Sequence, residues 1–163
     1  MVEFIEDSYC GLYCGACEVQ DAYRRALEGG REAAWDDLPV RFSEYIPRGE
    51  VRCRGCKTDD VFGGCAMCRM RACARERGVG FCFECGDYPC AIVREKEAAV
   101  ERFVGVMPHA AAIVRDLADV ERMGREAWFA ERRGRWSCPS CGARTTWYAA
   151  TCRSCGAALA YRG

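Results

Sequence analysis

The chain has 163 residues and a mass of 18.2 kDa, which at about 150 residues per domain allows one main domain with a small appended module and excludes a large barrel enzyme. Its 24 basic and 24 acidic residues cancel, and 29% charged with 50% hydrophobic residues is the composition of a folded protein, which excludes a disordered tail. Fifteen cysteines are the outlier, an excess that means either a disulfide scaffold or metal sites.

In chain order, Glu18 to Leu27 reads as a helix stopped by Gly29-Gly30. Glu32 to Tyr45 is helix-like but broken at Pro39 and closed by Pro47-Arg48-Gly49, which predicts short helical pieces. Arg69 to Arg77 ends at Gly78, and Ala91 to Val104 places Val93, Glu97, Val100 and Val104 near helical spacing before Gly105. Pro108 sits where a first-turn proline belongs and opens a segment to about Arg132 in which Ile113, Leu117, Val120, Met123 and Trp128 recur at helical intervals, so one long linking helix is expected there. From Trp136 onward the pattern turns to short β-prone runs, Thr145 to Tyr148 and Ala158 to Tyr161, between cysteine turns. The expected organisation is a small, metal-nucleated, α-rich (α+β) Cys-rich domain over 1–105, a linking helix over 106–135 and a β zinc ribbon over 136–163.

Compartment bears on the choice between disulfides and metals. The first ten residues carry Glu3, Glu6 and Asp7 with no basic leader and no apolar core, so no signal peptide is read there. No apolar stretch reaches the length of a membrane span. A cytoplasmic location is expected, where thiols stay reduced. An odd cysteine count also leaves one thiol over in any disulfide scheme, and metal thiolates become the preferred reading.

The C-terminal cysteines give the most specific pattern. Cys138-Pro-Ser-Cys141-Gly and Cys152-Arg-Ser-Cys155-Gly are two C-x2-C-G knuckles, each turning the chain so that two thiolates converge, and together they predict one closed four-thiolate zinc site. A segment this short buries too little core to stand alone, so a metal there supplies folding energy. The central run holds Cys53, Cys56, Cys65, Cys68, Cys73, Cys82, Cys85 and Cys90, with Cys65, Cys68 and Cys73 echoed seventeen residues on by Cys82, Cys85 and Cys90. Eight thiols make two four-ligand sites. Grouping by loop length gives Cys53, Cys56, Cys65 and Cys68 for one and Cys73, Cys82, Cys85 and Cys90 for the other, while cross-bracing would pair Cys65 and Cys68 with Cys82 and Cys85. The spacing matches neither bacterial nor plant-type ferredoxins, which favours zinc over iron–sulfur clusters.

Cys10, Cys14 and Cys17 form a C-x3-C-x2-C trio. Three ligands leave a fourth position open to substrate or water, as in a catalytic centre. A [4Fe–4S] cluster at this trio is the alternative to an all-zinc protein. Asp87, or His109 as the single histidine, could supply a fourth ligand from elsewhere in the chain. No general base is legible beside these thiols, so enzymatic activity is left open.

Tyr9 to Cys17 (YCGLYCGAC), Cys53-Arg-Gly-Cys56-Lys, Cys65-x2-Cys68-x4-Cys73 and Cys82-x2-Cys85-x-Asp87-Tyr88-Pro89-Cys90 resemble the bacterial and archaeal family of domain of unknown function 3795 over about residues 7 to 105. The resemblance implies a cysteine-rich metal-binding core, to which the ribbon is an addition, and it implies no substrate.

Charge is zoned along the chain. Residues 1–50 carry net −6, 51–77 net +4, 78–120 net −3 and 121–163 net +5, a pattern of solvated faces and internal complementarity. The basic C-terminal segment could place Arg132, Arg133, Arg135, Arg144, Arg153 and Arg162 on phosphates, with Trp136, Trp147 and Tyr148 stacking on bases. Zero net charge and the need to fill a small core with aromatics favour a protein partner over nucleic acid. The expected role is a multi-zinc binding, adaptor or metal-handling module, with an iron–sulfur redox or catalytic protein as the alternative.

Overall fold

Eight short helices and three 3-10 turns, strung between cysteine loops, make up the regular structure of the computed structural model, which describes residues 2–100, 102 and 107–160. Val104, Gly105, Tyr161 and Arg162 lie outside the described residues. Helix α1 spans Glu18–Glu28 and buries Val19, Ala22 and Ala26, one face of a 3.6-residue repeat, before Gly29 and Gly30 stop it. After Pro39 only α2 (Val40–Ser43) forms, preceded by a 3-10 turn at Trp35–Asp37. Short α3 (Gly63–Ala66) leads into α4 (Arg69–Glu76), and α5 spans Ala91–Val100.

The expected long helix is three helices. Pro108 opens α6 (Pro108–Ala111), α7 runs Ile113–Met123 and α8 runs Arg125–Arg135. The break falls at Gly124, whose φ of 79° is closed to most side chains and caps α7 while starting α8. Helices α7 and α8 therefore fold back on each other. Arg132, 3% exposed, reaches from α8 to Asp116 (3.2 Å) and Asp119 (2.6 Å) on α7. Ile113, Leu117 and Val120 form the apolar stripe of α7, and each such side chain buried contributes about 1.5–3 kcal/mol.

One core cluster joins distant parts of the chain: Tyr13 and Ala16, Phe81, Leu117 and Val120 of α7, Trp128 of α8, and Trp136 and Trp147. A second gathers Val19 and Ala22 of α1 with Leu38, Phe42, Val51 and Phe62. The C-terminal segment departs from the expected β ribbon. Among the described residues its only β pairing is two isolated bridges, Ser137 with Arg144 and Thr151 with Ala158, and Thr145 to Tyr148 is not a strand. The knuckles are held by local bonds instead, Cys138 N–H to Ala143 O and Cys152 N–H to Ala157 O. No described helix is long and apolar enough to cross a membrane.

Candidate metal centres

All fifteen cysteines are free thiols. At the C-terminus, Cys138 and Cys152 are buried and Cys141 and Cys155 exposed, and among the described residues this is the one set of three or more His, Cys, Asp or Glu whose ligand atoms all lie within 4.8 Å of one another. Sulfurs stand 3.7 Å apart between Cys138 and Cys155 and 3.6 Å between Cys141 and Cys152. Burial alone would raise the Cys138 thiol, but the backbone N–H groups of Ser140 and Cys141 and the neighbouring thiols hold it below its ordinary value. A set of four converging sulfurs, two of them (Cys138 and Cys152) favouring the thiolate, can hold a metal ion.

Sequence spacing shows two cysteines of each knuckle but not the donors between them. Cys138 accepts the N–H of the residue two positions on, and the same contact recurs at Cys10 (from Leu12), Cys17 (from Val19), Cys53 (from Gly55), Cys152 (from Ser154) and Cys155 (from Ala157). Loops of this shape present amide dipoles to sulfur and favour its negative form. Three helices also begin at a cysteine. Cys17 caps α1, Cys68 caps α4, and the Cys90 carbonyl accepts the Arg94 N–H at the start of α5. Each thiol sits at the positive end of a helix dipole.

The other eleven cysteines fall into neighbourhoods that cut across the motifs. Burial pushes the Cys14 thiol well up, and the next influences on it are Cys56 and Cys17, then Cys53. Burial raises Cys17 to about 12, followed by the charge of Cys53, and raises Cys65, followed by Cys17 and Cys53. Cys10 links these thiols to the rest: burial and then Cys10 raise Cys56 to about 12, with Cys68 also acting, Cys10 in turn feels Cys68, and Cys10 is the first cysteine acting on Cys82. The backbone fixes this group, since the Cys82 N–H bonds the Tyr9 carbonyl at 2.8 Å and Arg71 of α4 bonds the Cys56 carbonyl at 2.9 Å. Cys73, Cys82, Cys85 and Cys90 line one small apolar cavity of about 20 Å³ with Val79 and Tyr88.

Two glycines make these approaches. Gly55 has φ 126°, and a Cβ there would lie 2.2 Å from the Ile5 carbonyl oxygen, so the 53–56 knuckle can lie against the N-terminal segment. Gly11 has φ 81°, and its Cβ would lie 2.5 Å from the Leu117 backbone, so the Cys10 loop rests directly on α7.

Both candidates for a fourth ligand are otherwise engaged. Asp87 pairs with Arg77 at 2.6 Å, and Arg77 also donates to the Cys85 sulfur at 3.2 Å. His109 Nδ1 is 2.9 Å from the Tyr148 hydroxyl, and burial lowers its pKa to about 4. Of the residues considered for nucleic acid, Trp136 and Trp147 are buried with ring centroids 4.5 Å apart, and Arg132 is sealed in its ion pairs. Arg133 and Arg144 both meet Glu6, at 3.4 and 3.1 Å. Glu18 carries no signal in the sequence, yet its Oε1 accepts the Tyr148 N–H at 2.6 Å and so pins the C-terminal module to α1. Its burial raises its pKa to about 7.

No curated protein and no solved structure matches the chain. Residues 6–95, more than half of it, match the family described as "Protein of unknown function (DUF3795)" and contain the eleven N-terminal and central cysteines, and the chain belongs to that family.

Proposed function

We propose that the protein is a multi-metal thiolate module whose metals hold cysteine loops rigid for binding another protein or for handling metal, with zinc in a ribbon-like site at Cys138, Cys141, Cys152 and Cys155. The observation that carries this reading is the four-sulfur set within 4.8 Å. A tetrahedral ion with Zn–S bonds of about 2.3 Å places its sulfurs about 3.8 Å apart, close to the 3.6 and 3.7 Å spacings here. Four protein ligands close the coordination shell, which suits a structural ion. On this reading Cys14, Cys17, Cys53 and Cys65, which act on one another electrostatically, are assigned to a second ion and Cys73, Cys82, Cys85 and Cys90, which line one small cavity, to a third, each set having to draw its sulfurs together around the metal.

A second reading, an iron–sulfur centre with an open position, draws on one further observation. Cys10 and Cys68 both face a cavity of about 320 Å³ walled by Met70, Ile92, Lys96 and Ile113. This moves the open position from the Cys10, Cys14 and Cys17 trio to Cys10, Cys56 and Cys68.

Metal analysis with a visible spectrum on anaerobically purified protein tests both readings. The expected result is about three zinc per chain and a colourless solution. Iron with sulfide and visible absorption, lost in Cys10→Ser and retained in Cys14→Ser, favours the second reading. A folded chain without metal refutes both.

A further inference from the structure

A polar cavity of about 370 Å³ opens where the N-terminal segment, α8 and the C-terminal module meet, and Glu6, Tyr13, Arg133, Trp136 and Arg144 line it. Glu6, 10% exposed, is overcommitted. Its Oε1 meets Arg24 at 3.2 Å and Arg144 at 3.1 Å, and its Oε2 meets Arg133 at 3.4 Å and accepts the Tyr13 hydroxyl at 3.1 Å. Three guanidiniums converge on one carboxylate; Arg133 and Arg144 line the cavity with Glu6 and leave it one positive charge in excess, while Arg24 stands behind Glu6 outside the lining.

Two of the three lie against aromatic rings. Arg24 lies 4.2 Å over the Phe4 ring and holds Gln20 at 3.3 Å, and its buried Nε has no partner. Arg133 lies 5.1 Å over Phe129. Repulsion from Arg144, added to burial, makes the Arg24 cation harder to hold. Each guanidinium has five N–H donors in a planar fork, and in the contacts above Arg133 and Arg144 each spend one on Glu6. Such forks match the oxygens of a phosphate group.

We propose that this cavity binds the phosphate group of a small phosphorylated molecule, with Arg133 and Arg144 as the ligating residues, Glu6 and Tyr13 as the groups that position them, and Trp136 as a wall. A phosphate's negative charge would neutralise the excess, and the volume of about 370 Å³ exceeds that of a phosphate alone, leaving room for a small organic body. A single recessed pocket with two arginines suits an end-on phosphate better than the extended basic track that a nucleic-acid strand requires.

The test is titration of the metal-loaded full chain with inorganic phosphate and with glycerol 3-phosphate, read by calorimetry and tryptophan fluorescence, with glycerol as the uncharged control. Metal content is measured before and after. Saturable binding of both phosphates and none of glycerol is expected, weakened about tenfold or more by Arg133→Gln and by Arg144→Gln through loss of a charge-assisted bond. Arg122→Gln, at an exposed arginine of α7, should leave it unchanged. Arg133 is 64% exposed, so its variant keeps the fold even if Arg144→Gln loosens the C-terminal module. Absence of saturable binding overturns the proposal, as does affinity unchanged in Arg133→Gln. Binding of a single-stranded oligonucleotide that neither phosphate displaces also overturns it.

Discussion

Replacing Gly11 by alanine tests whether the Cys10 loop rests on α7 as described. The new Cβ would stand 2.5 Å from both Cα and N of Leu117 and 2.8 Å from the carbonyl carbon of Asp116. All three are backbone atoms of a helix whose Leu117 and Asp116 side chains are buried, so neither side can yield locally. Two costs combine. Holding an alanine at φ 81° costs about 1–2 kcal/mol, and forcing a methyl group into a packed contact adds about 1–3 kcal/mol. The sum, about 2–5 kcal/mol, is a large fraction of the 5–15 kcal/mol typical of a folded domain. Gly30→Ala is the matched control, because Gly30 has φ 64° and nothing within 4 Å of the added carbon, and it should lose only the conformational part, about 1–2 kcal/mol. Urea unfolding of the metal-loaded proteins, followed by far-UV circular dichroism, measures both. If the two variants lose stability equally, within about 0.5 kcal/mol, the loop does not lie on α7 and the reasoning fails.

Other consequences can be measured in parallel. Cys138→Ser should lower the metal content by one ion and, because Trp147 shares a core with Tyr13 and Trp128, should shift tryptophan emission to the red while most helical signal remains; unchanged emission would separate the module from that core. Arg132→Met removes the buried partner of Asp116, 2% exposed, and leaves it only the half-exposed Arg115 at 3.5 Å; it should cost about 3 kcal/mol, most of it recovered when Asp116→Leu is added, and equal stability of the single variant and the wild type would show that the pair contributes nothing. His109 is depressed by burial to about 4, so between the ordinary histidine value and that one the unfolded chain binds a proton that the folded chain does not. Stability is then fully present above about pH 6.5 and falls as pH drops toward 4, by about 2 kcal/mol at pH 5. Denaturant titrations at pH 7.5 and 5 should show this slope in the wild type and a shallower one in His109→Gln, and equal slopes would refute it.

The helices were the legible part of the fold. Glycine stops, Pro108 and apolar spacing marked α1, α4 and the start of α6, because these are local effects that read out within one turn. Gly124 is not legible as a break inside an otherwise regular pattern, since a glycine breaks a helix only when tertiary packing, here Arg132 against Asp116, rewards the reversal. The C-terminal knuckles were legible because two thiols three residues apart converge by local geometry, and the β reading of Thr145 to Tyr148 failed because Trp147 and Tyr148 are drawn away into the core and toward His109. Neighbourhoods among the other cysteines follow long-range approaches through Gly11 and Gly55, which spacing along the chain does not encode. Glu6, the meeting point of three arginines, looked like one acid among eleven in an acidic stretch.

The cysteines at the heads of α1, α4 and α5 bear on how the chain ages in a cell. These helices have 11, 8 and 10 residues, shorter than the 12–15 or so at which an isolated helix becomes even marginal in water. If metal fastens their first turns, its withdrawal frees three helix starts together instead of fraying one end. Such a chain opens in several places at once to proteases, and its abundance then follows metal supply without any change in its synthesis.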